Sequence, residues 1–126
     1  METLGLTQDD NSLIGFVERC FYNSAIIDKD IRDWSIYMIK KYYQLPVYIY
    51  DLIDFKKEDY NLHKLINFAT GWKFPETDKE ALYGIAYKRG FEPYDCPLTK
   101  EEAIKRLKEC PHIEKKFRET FPFIEF

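Results

Sequence analysis

The chain has 126 residues, 45% of them apolar and 33% charged, with a formal net charge of −3 and a pI near 5.5. That length suits one ordinary domain with its own core, the composition excludes a disordered chain, and the mildly acidic balance disfavours general nucleic-acid binding. Ten Tyr and ten Phe against five Ala predict a core of few, large side chains, with several tyrosine hydroxyls needing water or a polar partner.

The opening METLGLTQDDNS has no basic region followed by an apolar run, so it reads as a flexible lead-in over residues 1–9 and not as a secretory leader. A first helix is predicted over 11–22, capped by Asp10 or Asn11, with Leu13, Phe16, Val17, Cys20 and Phe21 on one face. The turn NSAI follows. A second helix starts near Asp28 or Asp30 and carries Ile31, Trp34, Met38 and Tyr42 inward, with acids at its front and Lys40–Lys41 at its rear to suit the dipole. Pro46 ends it.

The next segment, PVYIYDLIDF, is ambiguous between helix and strand. Alternation would bury Asp51 beside Val47, Ile49 and Ile53, whereas helical spacing groups Pro46, Ile49, Tyr50 and Ile53, so a short helix is favoured. KKED reads as a polar turn. Asp59 then caps a helix with Leu62, Leu65, Ile66 and Ala69 inward, closed by Gly71 and followed by the loop WKFPE.

Thr77-Asp-Lys-Glu80 and Thr99-Lys-Glu-Glu102 both match the capping box. The first opens a helix with Ala81, Leu82, Ile85 and Ala86 inward, ending at Gly90. Gly84 inside it weakens the helix, which predicts close approach to another backbone. The second opens a helix with Ala103, Ile104, Leu107 and Cys110 inward and the pairs Glu101–Lys105 and Glu102–Arg106 outside. Pro111 breaks that helix, HIEKKFRET forms one more short one, and FPFIEF ends the chain as a tail docked on the core. The expectation is an all-α single domain, 1–126, of six or seven helices. Only 47–53 and the tail offer places for a short strand.

Catalytic motifs are missing: the glycines at 5, 15, 71, 84 and 90 make no phosphate loop, and the two histidines, His63 and His112, are far apart in sequence. Cys96, Cys110 and His112 match no zinc spacing and lack a fourth ligand, so neither a metal nor a cofactor is assigned. Three cysteines without framework spacing, and no run near the roughly 18 apolar residues of a membrane span, predict a reduced, cytoplasmic protein that needs no membrane. The basic pairs are interleaved with acids, as in KKED and EKKFRE, and form no nucleic-acid face.

The remaining chemistry is the aromatic, acidic stretch Lys41–Phe55, KYYQLPVYIYDLIDF. Tyrosine gives rigid contact area with few torsions, and aspartate steers a basic partner. The predicted partner-binding residues are Tyr48, Tyr50, Asp51, Asp54, Glu58 and Asp59. Tyr48 and Asp51 should face outward with Phe55, flanked by Trp34 and Tyr37, while Ile49 and Ile53 hold the helix to the core.

The segment IIDKDIRDWSIYMIKKYYQLPVYIYDLIDF, with its tryptophan and its Pro46-x-x-x-x-Asp51-Leu52 continuation, resembles small helical immunity proteins of contact-dependent and other polymorphic toxin systems. It covers about a quarter of the chain. The chain is also similar in style to colicin nuclease immunity proteins, which use a tyrosine pair and acids on a short helix, although YIYD differs in order and spacing. The resemblance implies inhibition of a basic, nuclease-type toxin by tight binding without turnover. A helical adaptor, phage-encoded and acting through the same surface or through FPFIEF, is the alternative. Oligomeric state is left open.

Overall fold

The computed structural model describes residues 4–70 and 75–126, so the expectations for Gly71 and most of the WKFPE loop lie outside the described residues. Those described contain seven α-helices, one 3-10 turn and no strand, as the all-α reading expects. The chain falls into two compact units: Met1–Glu18 with Ile27–Trp72, and Arg19–Ile26 with Lys73–Phe126.

The first unit begins with a docked lead-in. Gly5 is held at φ +78°, and its carbonyl accepts from Leu13 N and Ile14 N at 2.9 and 3.0 Å. It thereby satisfies two orphan amides at the start of α1, Ser12–Tyr22. A Cβ on Gly5 would stand 2.6 Å from Leu13 N, so only glycine fits. Leu6 is buried, while Thr7, Gln8 and Asp9 are exposed. In α1, Phe16 and Val17 are buried as predicted, and Asp10 Oδ1 accepts from Ser12 N.

The second helix, α2, spans Asp28–Lys41 and buries Ile31, Trp34 and Met38 at the predicted spacing. Asp30 Oδ2 takes the Ile27 amide at 2.8 Å, a cap supplied from inside the first turn. The chain is extended at Tyr42, and Pro46 leads into α3, Val47–Asp51, which tightens into a 3-10 turn, Leu52–Asp54. The short-helix reading of 47–53 is therefore the one the structure adopts. Next comes α4, Leu62–Ile66, shorter than predicted. Asn61, not Asp59, caps it by accepting from Lys64 N, and Asn67 in the left-handed region ends it before Ala69.

The second unit takes the last turn of α1 and the turn after it, where Ser24 sits at φ 65°. Ala25 N donates to Cys20 O and Ser24 N to Phe21 O, the paired bonds of a Schellman ending. Its main packing pair is α5, Glu76–Lys88, against α6, Lys100–Glu109. Asn23 donates to Lys79 O and Arg89 to Ala25 O, tying the 19–26 segment to α5.

Pro75 starts α5 directly, so Thr77 lies inside the helix and its capping box does not form. The Thr99–Glu102 box does form, with both bonds at 3.2 Å. At Gly84 a Cβ would meet Ala103 O at 2.5 Å, the backbone approach that a glycine there predicts. Gly90, at φ +85°, ends α5 with Phe91 N on Ala86 O and Gly90 N on Tyr87 O. Arg106 makes its close ion pairs with Glu80 and Glu109, and its charge also acts on Glu102, which is held by its cap.

Pro111 opens α7, Pro111–Thr120. The tail packs and forms no strand: Phe121 and Ile124 are buried, the Phe117 ring meets those of Phe121 and Phe126, and the Arg118 guanidinium lies 4.1 Å over Phe126.

Candidate functional site

The α3 segment has a clean division of faces. Tyr48, Ile49, Leu52 and Phe55 are buried, while Val47, Tyr50, Asp51, Ile53 and Asp54 are exposed. Val47, Tyr50, Asp51 and Asp54 stand at i, i+3, i+4 and i+7, which makes them one continuous stripe on the outer face. Tyr43, 97% exposed, precedes the stripe.

Two anchors hold this segment in place. Arg32 Nη1 donates to Phe55 O at 2.8 Å, and Lys57 N donates to Asp28 Oδ2 at 2.9 Å, so α2 fixes the chain just beyond Asp54. Beneath, Ile49, Leu52 and Phe55 are fully buried, which leaves the short helix no freedom to roll. Asp51 and Asp54 make no hydrogen bond or ion pair among the described residues, so the fold makes no use of their charges.

The predicted site is corrected at its first member. Tyr48 is 7% exposed, its ring meets Phe68 edge-on, and its hydroxyl donates to Leu6 O at 2.6 Å. Burial, followed by the nearby Glu18 charge, pushes its pKa well above the ordinary tyrosine value. Tyr48 is core and cannot face a partner. Phe55 and Trp34 are likewise buried, and Ile53, expected inward, is exposed. Tyr50, Asp51 and Asp54 stay together on the surface; Glu58 and Asp59 are exposed in the turn that follows. Val47 belongs to the stripe and was missed, because an apolar side chain carries no signal for the surface.

Each histidine among the described residues belongs to a further polar cluster. In the first unit the buried Glu18 carboxylate accepts from Thr70 Oγ1 at 2.7 Å, with His63 Nδ1 3.7 Å from its other oxygen. In the second unit Asp78, Cys110 and His112 bring a carboxylate, a thiol and an imidazole within 4.8 Å of one another. His112 Nε2 lies 2.8 Å from Asp78 Oδ1, and the Cys110 thiol donates to Thr77 O at 3.7 Å. Burial, and then the bond and charge of Asp78, raise the Cys110 pKa, the reverse of an activated nucleophile. The imidazole addresses the carboxylate, so this is not a Cys–His couple. Cys96 is not part of it; its thiol donates to Leu98 O. Asp78 supplies the third donor that sequence spacing could not reveal.

No helix among the described residues is long and apolar enough to cross a membrane. Comparison with protein-family models, curated proteins and solved structures finds no match.

Proposed function

We propose that the chain is a binding protein without turnover, an immunity protein that works in the cytoplasm and neutralises a basic, nuclease-type toxin by covering a functional face of it. The observation that carries this reading is the α3 stripe. It combines an exposed valine and tyrosine with two carboxylates that have no intramolecular partner among the described residues, on a helix locked from below. Exposed aromatic area that is already ordered loses little entropy on binding, and unspent negative charge steers a cationic partner. The first unit also carries the acidity. It has eleven acidic against seven basic residues, a net −4, whereas the second has eleven against twelve, a net +1. The adaptor reading through FPFIEF has less support, since Phe121 and Ile124 of the tail are buried in their own unit.

The test is association kinetics with a basic nuclease toxin domain whose killing activity co-expression of this chain suppresses. Reversing both charges, Asp51→Lys with Asp54→Lys, should slow association about tenfold or more at low salt and much less at high salt, with the thermal melt unchanged. Tyr50→Ala should act mainly on dissociation, at a cost of roughly 2 kcal/mol if it anchors the contact. Association rates that ignore the charge reversal would remove this surface from the interface.

A further inference from the structure

We propose that Asp78, Cys110 and His112 form a binding site for a divalent transition-metal ion of the zinc class, a function separate from the α3 surface. The three donors come from two places that only the fold joins. Asp78 lies in the first turn of α5, while Cys110 and His112 flank Pro111 at the junction of α6 and α7. Cys110 is at once the last cap of α6 and the first of α7, so the proline break holds thiol and imidazole at a single corner.

The donor set selects the ion. Thiolate and imidazole exclude magnesium and calcium, which take oxygen ligands, and a sulfur, nitrogen and oxygen trio suits tetrahedral zinc or cobalt(II). Burial divides the labour. Asp78 and Cys110 are 5% and 4% exposed and form a fixed half-site, whereas the His112 side chain is 60% exposed and free to turn onto the ion. Solvent on the His112 side would supply the fourth ligand.

Metal bonds of about 2.0–2.3 Å place ligand atoms roughly 3.2–3.8 Å apart. The 2.8 Å His112–Asp78 contact must therefore open slightly and the wider spread, up to 4.8 Å, must close by about 1 Å. Rotation of the exposed imidazole can supply much of both. On coordination the Cys110 S–H proton leaves to solvent, and His112 binds through Nε2 with its proton on Nδ1. The result is a clip joining the start of α5 to the α6–α7 corner.

The experiment uses the full chain, stripped with a chelator and titrated with cobalt(II) chloride and then zinc chloride. One cobalt ion per chain should bind with a near-ultraviolet thiolate-to-metal charge-transfer band, zinc should displace it, and zinc should raise the melting temperature. Cys110→Ser should abolish the band although Cys20 and Cys96 remain. His112→Ala, with its melt and circular dichroism recorded alongside, should weaken binding by at least about tenfold. No saturable binding, a band that survives Cys110→Ser, or an affinity untouched by His112→Ala would each overturn the proposal. Should Cys110→Ser fail to fold, His112→Ala alone decides.

Discussion

The hydroxyl of Tyr48 donates to Leu6 O where water has little access, so both groups depend on that one bond. Tyr48→Phe keeps the ring and its contact with Phe68 but leaves a buried carbonyl unpaired, which should cost about 1–2 kcal/mol in denaturant titrations at neutral pH. The pH dependence has a definite sign. The folded-state pKa is raised, so the native chain holds this proton more tightly than the unfolded one. The stabilisation is complete below the ordinary tyrosine value of about 10 and is lost as pH rises above it. The stability gap between the wild-type chain and Tyr48→Phe should therefore narrow above about pH 10. A gap that stays constant would show that the proton is not held by the fold. Sequence spacing could not place Tyr48, because its partner lies 42 positions earlier in a lead-in with no periodicity of its own. The exposure of Asp51 and Asp54 was legible from their charge, whereas helical spacing groups the exposed Tyr50 with Ile49 and Ile53.

At the scale of elements, helix ends set by one residue type were readable and those set by competition were not. Pro111, Gly90 and the Thr99–Glu102 box each impose a local geometry that little else can supply, whereas α2 ends at Lys41, before Pro46 can act on it. Asp59 and Asn61 cap equally well in principle, and docking of Leu62 and Ile66 decides for Asn61. Thr77 loses to Pro75, which starts α5 earlier with a fixed φ and no amide to satisfy. Gly84 sets two effects against each other. Gly84→Ala gains about 1 kcal/mol of helix propensity, yet its methyl would sit 2.5 Å from Ala103 O and 2.8 Å from Leu107 Cβ. Overpacking of a helix pair costs roughly 1–3 kcal/mol, and here the obstacle is backbone that cannot rotate aside. The variant should melt lower than wild type. Gly90→Ala is the contrast, because its Cβ meets nothing within 4 Å. Its penalty comes from the left-handed backbone alone, about 1 kcal/mol. A Gly84→Ala variant more stable than wild type would mean that α5 and α6 can part without loss.

For the whole molecule, the order of the chain and the partition of the structure differ. Neither unit is a continuous stretch, because residues 19–26 belong with 73–126 while 27–72 belong with the first eighteen. Two of these crossings lie beside the turn and loop sequences NSAI and WKFPE, and the third has no linker composition at all. It falls inside α1, between Glu18 and Arg19, where the helical pattern runs on without interruption. The interleaving has a measurable consequence. The fragment 73–126 contains α5, α6, α7 and the packed tail, yet it lacks Asn23, which donates to Lys79 O, and Ala25, whose carbonyl takes Arg89. It also lacks the fully buried Cys20 and Ala25 side chains. At roughly 50 residues a fragment is already marginal, and a missing part of its own unit leaves it little to spare. Calorimetry should show no cooperative melt for 73–126 alone, whereas a chain beginning at residue 12 keeps α1 and so the whole 19–26 segment. A fragment 73–126 that melts cooperatively near the full-chain temperature would show that 19–26 contributes nothing, and that the second unit is continuous after all.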